Sequence, residues 1–266
     1  MKPKLFIKIG FTVAVVTFLN FLVDIAMGSV SGLSFYLWQL VYNSLIFILF
    51  GYYIISSNLS GRSLILSVFT IYFLIGNLNL IVEAIIFNLV SFETVLIALP
   101  RDIIMTLFIS SALVYVMGKW ESKTEIIEYQ SRTALGWVWR IVVGDILYLF
   151  FYIAAGITLM TLYPELMEFY NEKAPPSPEI IFGTQLIRGL VFVFVAILVC
   201  RTVKLTKLKK AVLVGLIFSI LGGIAPLILP NEVMPLNLRM GHLFEVGISN
   251  FLYGYLLGYL LTQKIK

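Results

Sequence analysis

Eight long apolar runs constrain this chain more than any other feature of its sequence. They occupy residues 5–27, 34–56, 64–88, 96–118, 137–162, 180–200, 211–230 and 242–262. A helix needs about 20 mostly apolar residues to cross the hydrocarbon core of a bilayer, and every run meets that length. Strands of a membrane barrel would instead alternate apolar and polar residues over about ten positions. We therefore predict an all-α integral membrane protein, built as a bundle of eight transmembrane helices.

Composition and loop length exclude the usual soluble functions. Hydrophobic residues make up 60% of the 266 residues and charged residues 12%, whereas about 25% charged residues is usual in soluble proteins. The longest loops, 119–136 and 163–179, are too short to form a domain with its own core. The sequence has no Walker-type glycine loop and no dinucleotide fingerprint. We therefore expect no nucleotide-binding domain and no cofactor.

Lysine and arginine in the loops predict the orientation, because cytoplasmic loops are enriched in both. One set of alternate loops and tails carries 13 of the 19 lysines and arginines, whereas the other set carries Lys173 and Arg239. We therefore expect both termini in the cytoplasm and the protein in the plasma (inner) membrane. The densest basic segment, 201–210, either determines this topology or contacts anionic membrane lipids. It has no aromatic stacking partners, so we expect no nucleic-acid partner.

The two halves of the chain resemble each other. Four pairs of positions match: Lys8-Ile9 with Arg140-Ile141, Gln39-Leu40 with Gln185-Leu186, IYFLIG at 71–76 with IFSILG at 217–222, and Arg101 with Arg239. We predict a first four-helix repeat at 1–118, a cytoplasmic linker at 119–136 with a short amphipathic helix, and a second repeat at 137–266. Since four is even, both halves would have the same orientation, as in parallel-repeat transporters. A duplication that only enlarged the bundle is the alternative.

Charged side chains within the apolar runs are the best guide to function, because they are costly in a membrane and face the bundle interior or water. Lys8 and Arg140 lie near the cytoplasmic ends of their helices, where their side chains can reach the headgroups. Arg188 is the deepest, about 12 Å from the outer end of its helix, without an obvious partner on that helix. The predicted site residues share the outer half of the membrane; they are Asp24, Asn79, Glu83, Arg101, Asp102, Arg188, Arg239, His242 and Glu245.

These residues predict either a polar cavity open to the outside or a network of ion pairs. Asn79 and Glu83 are four residues apart and share a helix face. Arg239, His242 and Glu245 would also share a face if the eighth helix begins early.

The stretch from Gly222 to Pro226 predicts a helix that is broken or kinked beside the cavity. The arginines suit a carboxylate or phosphate group. Glu83 and Glu245 would balance their charge or carry protons.

Three functions stay open at this point. We favour a transporter or permease for a small polar or anionic solute, which would enter an outward-facing charged cavity. The second is a membrane-embedded enzyme that acts on a lipid or lipid-linked substrate at the outer leaflet, with Glu83, His242 and Glu245 as acid–base groups. The third is a non-catalytic assembly or immunity factor whose charges serve structure alone.

The sequence excludes some kinds of metal or catalytic site and makes others less favoured. One histidine in the chain excludes multi-histidine zinc sites and bis-histidine haem, and we expect no metal. Cysteine, arginine and histidine are the residue types of exosortase-like transpeptidases, but Cys200 is predicted at the inner end of its helix, far from Arg239 and His242. Gly254 and Gly258 form a G-x-x-x-G pattern that favours close packing within the fold, although homo-oligomerisation stays open.

Overall fold

The computed structural model describes residues 3–26, 28, 30–121, 123–165, 176–230 and 234–263. Long helices account for most of this part of the chain. We number them in chain order: α1 Pro3–Ala26, α2 Leu33–Ser56, α3 Gly61–Ile86, α4 Phe92–Val116, α5 Ala134–Leu162, α6 Pro178–Thr202, α7 Lys207–Ile228 and α8 Leu236–Leu261. The all-α prediction is confirmed, and each predicted apolar run coincides with one helix.

Seven of these helices, α1 to α7, are long and apolar enough to cross a membrane, which indicates an integral membrane protein. The eighth helix has 26 residues but carries more polar groups along its length, so it does not meet that criterion. It nevertheless packs along α7 and against α5 and α6. The structure is therefore compatible with a membrane bundle, and the crossing of α8 stays a prediction.

Most helices begin earlier than the apolar runs predict. Helix α7 begins at Lys207 and α8 at Leu236, four and six residues before the predicted starts. A hydropathy criterion does not count a charged or polar first turn as part of an apolar run. The helix can include such a turn, because it needs only that its backbone N–H and C=O groups are hydrogen-bonded. The early start of α8 places Arg239, His242 and Glu245 within one helix, as the sequence pattern required.

Helix packing is similar in the two halves of the chain. In the first half, α1 packs on α2 and α4, and α2, α3 and α4 pack on one another. In the second half, α5 packs on α6 and α8, and α6, α7 and α8 pack on one another. Between the halves, α2 packs on α7, α3 packs on α6, and α3 packs on α7. Each contact within the first half has a counterpart between the helices numbered four higher in the second half. Between the halves, the α2–α7 contact corresponds to the α3–α6 contact, and the α3–α7 contact corresponds to itself.

The backbone at the C-terminal end of α2 pairs with the backbone at the C-terminal end of α6. Ser57 and Val203 form an isolated antiparallel bridge. The N–H of Asn58 donates to the carbonyl of Thr202 at 2.9 Å, and the N–H of Lys204 donates to the carbonyl of Ser56 at 2.8 Å. The two hydrogen bonds are equivalent in the two halves, because Asn58 corresponds to Lys204 and Ser56 corresponds to Thr202 at a spacing of 146 residues. The same spacing relates Gln39 to Gln185.

The segment between α4 and α5 crosses this same end of the bundle, which we call the linker end. The prediction of a short amphipathic helix there is wrong for the described residues 119–121 and 123–133, which contain no helix. Long-range contacts hold the segment extended instead. The side chain of Asn58 donates to the carbonyl of Glu125 at 2.7 Å, and Arg132 donates to the carbonyls of Leu261 and Thr262 at 2.8 and 2.7 Å.

Glycines allow α7 and α8 to pack with their backbones in contact. A Cβ atom added to Gly254 would lie 2.9 Å from the Cα of Gly215, and one added to Gly258 would lie 2.9 Å from the Cα of Ala211. The G-x-x-x-G pattern therefore serves packing within the fold, as predicted.

Two π-helical turns interrupt α3 and α7 where the halves match. They occupy Tyr72–Leu78 and Ile220–Ile224. Helix α7 continues through Pro226 to Ile228, so it is distorted rather than broken. A π turn leaves a backbone carbonyl without its usual helical donor. The side chain of Asn250 on α8 meets this need, since its Nδ2 lies 3.3 Å from the carbonyl oxygen of Gly222.

Candidate functional site

Arg188 lies at the centre of the candidate site. It is ten residues from the first residue of α6, hence about 15 Å along the helix from the end opposite the linker. Its side chain is 8% exposed. Each guanidinium nitrogen donates to a different acceptor: Nε to Asn79 Oδ1 at 2.7 Å, Nη1 to Gln185 Oε1 at 2.9 Å, and Nη2 to Glu83 Oε2 at 2.9 Å. The arginine therefore joins α6 of the second half to α3 of the first.

The acceptor on its own helix is a partner that the sequence analysis missed. Gln185 is 1% exposed, and its Oε1 also accepts from the hydroxyl of Tyr148 on α5 at 3.0 Å. The i, i+3 spacing of Gln185 and Arg188 on a helix was the signal that could have found it. The network thus extends from α3 through α6 to α5.

A cavity of about 460 Å³ lies next to this network. That volume is within the range of small-molecule sites, about 300–1,000 Å³. Asn79, Glu83 and Arg188 line its polar side. The rest of the wall comes from α5, α6, α7 and α8 and from Phe87, so that among the described residues the first half contributes α3 and the residue that follows it.

Helix α5 supplies most of the apolar wall. Ile153, Ile157 and Met160 line the cavity and are also 51%, 62% and 44% exposed. Side chains with such exposure lie at the surface of the bundle. The cavity therefore extends from the buried ion pair to the apolar surface along α5, which a bilayer would cover.

The opposite wall of the cavity belongs to α8. His242 Nδ1 lies 3.6 Å from Glu245 Oε2, and the two side chains are 18% and 11% exposed. The second carboxylate oxygen of Glu245, Oε1, is buried without a hydrogen-bond partner, and so is the hydroxyl of Tyr253. Ser249 and Asn250 also line this wall. Buried polar atoms without partners are uncommon in native structures and need an explanation.

Four of the predicted site residues lie elsewhere. Asp24 on α1 accepts a hydrogen bond from the hydroxyl of Tyr36 at 3.1 Å. Arg101 is exposed and Asp102 half-buried on α4. Arg239 is buried on α8, and its Nη1 donates to the carbonyl of Leu229 at 3.0 Å, where it caps the end of α7. None of the four lines the cavity.

Two further polar residues lie away from the cavity. Asn77, a neighbour of Asn79 in sequence, donates from Nδ2 to Thr106 at 2.8 Å and does not line the cavity. Cys200 lies at the linker end, 3.7 Å from the carbonyl oxygen of Gly258, whereas Arg239 and His242 lie near the start of α8. This separation excludes joint action of the three residues in transpeptidase chemistry.

The described residues contain no group of three histidine, cysteine or carboxylate side chains that could hold a metal ion. Comparison with known proteins finds no family model, curated protein or solved structure that matches this chain. The functional argument therefore depends on the geometry of the cavity.

Proposed function

We propose that this protein is a transporter or permease that binds a small amphipathic solute in the cavity between α3 and α5–α8. One observation carries the proposal: a single cavity connects a buried ion pair, Arg188–Glu83, with an apolar wall at the surface of the bundle. Charged groups deep in a membrane helix commonly mark a solute or proton pathway. A purely structural ion pair would not need a cavity beside it.

The charge balance of the site narrows the solute. Arg188 donates from all three of its nitrogens to protein acceptors, so its positive charge is largely neutralised within the fold. The anionic solute that the arginines alone suggested is therefore less favoured than a solute with hydrogen-bond donors and an apolar part.

The proposed orientation places the linker end in the cytoplasm of a cell whose plasma (inner) membrane holds the protein. The described loops and helix ends here include Lys119, Lys123, Arg132, Arg201 and Lys204. Cytoplasmic loops are enriched in such residues. The cavity then lies in the outer half of the membrane.

A parallel duplication of four helices, 1–118 and 137–266, completes the proposal. The paired hydrogen bonds at Ser57 and Val203, the matching π turns and the matching helix contacts support a pseudo-twofold axis along the membrane normal. Sites of transporters with such repeats lie between the halves. Here α3 of the first half supplies Asn79 and Glu83, and α6 of the second half supplies Arg188.

A membrane-embedded enzyme acting on a lipid-like substrate is the second candidate. The observation that favours it is the His242–Glu245 pair on the wall of the same cavity. A histidine oriented by a carboxylate is a common general base.

Uptake into proteoliposomes tests the first proposal. The probes are radiolabelled benzyltrimethylammonium, benzylphosphonate and phenylalanine, which share a benzyl group and differ in charge. We expect uptake of at least one probe above that of protein-free vesicles. Glu83→Gln should reduce this uptake at least tenfold, because Glu83 lines the cavity, whereas Asp102→Asn, outside the cavity, should leave it within twofold.

If no probe enters faster than in protein-free vesicles, or if both variants match the wild-type protein, the transport proposal fails. Chemical conversion of an added lipid by the protein, abolished by His242→Ala, would favour the enzyme instead.

A further inference from the structure

The charged side chains that line the cavity include more hydrogen-bond acceptors than the fold supplies with donors. Arg188 has acceptors for all three nitrogens. Glu83 uses Oε2 for Arg188, and its side chain is 34% exposed. Glu245 Oε1 is buried and has no hydrogen-bond partner in the described part of the chain. Two carboxylates therefore line the cavity, and the fold leaves one of their oxygens unsatisfied.

The formal charges point in the same direction. Two carboxylates and one arginine line the cavity. The Arg188–Glu83 pair is neutral, so the carboxylate of Glu245 is left with His242 as its ion-pair partner at 3.6 Å. Among the described residues, no arginine or lysine other than Arg188 lines the cavity to balance Glu245. A buried anion without a full counter-charge is costly, and a cationic ligand would remove that cost.

Aromatic rings surround the same space. Six of the lining side chains are phenylalanine or tyrosine, and five of them lie on three helices; the six are Phe87, Tyr148, Phe151, Tyr152, Phe192 and Tyr253. Tyr148 is at the centre of the group, with its ring centroid 5.1 Å from that of Phe192 and 5.4 Å from that of Tyr253. The faces of aromatic rings attract cations, and aromatic cages with carboxylates recognise ammonium ligands.

We infer that the ligand of this cavity carries an ammonium group on an apolar body. The ammonium lies between the carboxylates of Glu83 and Glu245 and against the ring of Tyr152. The apolar body lies along Ile153 and Ile157 of α5. The inference rests on the proposed function, since it names the class of solute that the same cavity binds.

Equilibrium dialysis of the purified full-length protein in lipid nanodiscs tests this assignment. The probes are benzylammonium, which donates hydrogen bonds, its neutral isostere ethylbenzene, in which carbon replaces nitrogen, and benzylphosphonate. Empty nanodiscs correct for partition into lipid. We expect the cation to bind at least tenfold more tightly than either other probe.

Variants locate the site without depending on a single substitution. Glu245→Gln should weaken binding of the cation at least tenfold and leave binding of the neutral isostere within twofold. Glu93→Gln, an exposed carboxylate at the start of α4 outside the cavity lining, is the matched control and should leave both affinities within twofold.

Two results would overturn the assignment and separate it from the transport proposal. If the neutral isostere or the phosphonate binds as tightly as the cation, the ammonium class is wrong, while uptake of the phosphonate in proteoliposomes would still support transport. If no probe binds, the ammonium class is again wrong, and the uptake experiment decides independently whether the cavity transports another solute. The comparison of wild-type affinities needs no variant, so a misfolded variant would not obscure it.

Discussion

Replacement of Arg188 by methionine should destabilise the protein far more than its apolar surroundings suggest. Methionine preserves much of the side-chain volume but removes all three donors. Gln185 keeps the hydroxyl of Tyr148 as a partner, whereas Asn79, 5% exposed, loses its donor. An orphaned buried acceptor costs about 1–3 kcal/mol. Loss of the charged hydrogen bond to Glu83 adds about 1.5–3 kcal/mol, less than for a fully buried ion pair, because the Glu83 side chain is 34% exposed.

Glu83→Gln should cost less, about 1–2 kcal/mol. The glutamine oxygen still accepts from Nη2 of Arg188, and the Glu83 side chain is 34% exposed, so water or the cavity reaches the site. The double variant should then be less unstable than the sum of the two single variants. We expect a coupling energy of about 1–3 kcal/mol, as for residues that share a hydrogen-bond network.

The measurement is the free energy of unfolding of the four proteins of this cycle, obtained by steric trapping in lipid bicelles. A cost of Arg188→Met below about 1 kcal/mol, together with additive variants, would refute the reasoning, since charged pairs in contact are not additive. Asp102→Asn, outside the network, is the control and should change the free energy of unfolding by less than about 0.5 kcal/mol.

Three other predictions follow from packing, buried polar contacts and orientation. Gly254→Ala should destabilise the α7–α8 contact by about 1–3 kcal/mol, whereas Gly183→Ala, where an added Cβ meets nothing within 4 Å, should be neutral or stabilising; thermal unfolding in detergent compares the two. Asn43→Leu removes a buried donor to Thr17 and should lower the free energy of unfolding by about 1–3 kcal/mol; an unchanged value would contradict the buried contact. A membrane-impermeant maleimide should label Ser177→Cys but not Ser131→Cys in intact cells, and the opposite pattern would reverse the proposed orientation.

The sequence predicted the lengths of the helices and the depth of their charged groups. Both are properties of one helix at a time: apolar length matches the bilayer thickness, and a rise of about 1.5 Å per residue converts position into depth. Asn79 and Glu83 share a face for the same reason, and both line the cavity.

Depth alone was not sufficient to identify the site. Asp24, Arg101 and Asp102 are predicted at nearly the depth of Glu83, yet they lie on α1 and α4, which pack around α2 and α3 away from α5. The angle at which each helix presents its charge depends on which neighbours it packs against. Arg239 illustrates the same point within one helix, because its contact with the carbonyl of Leu229 turns it to the end of α7 instead of the cavity.

The amino-acid sequence by itself therefore determined the membrane character of the chain, the position of its helices and the identity of its buried charges, because these follow from hydropathy and helical rise. Only the tertiary structure decided that Arg188 is paired with Glu83 and donates to Asn79 and Gln185, and that Glu245 and Tyr253, which line the same cavity, keep unpartnered atoms. Hydrogen bonds need atoms within about 3 Å, and such distances between α3, α6 and α8 arise from how side chains of different helices pack together.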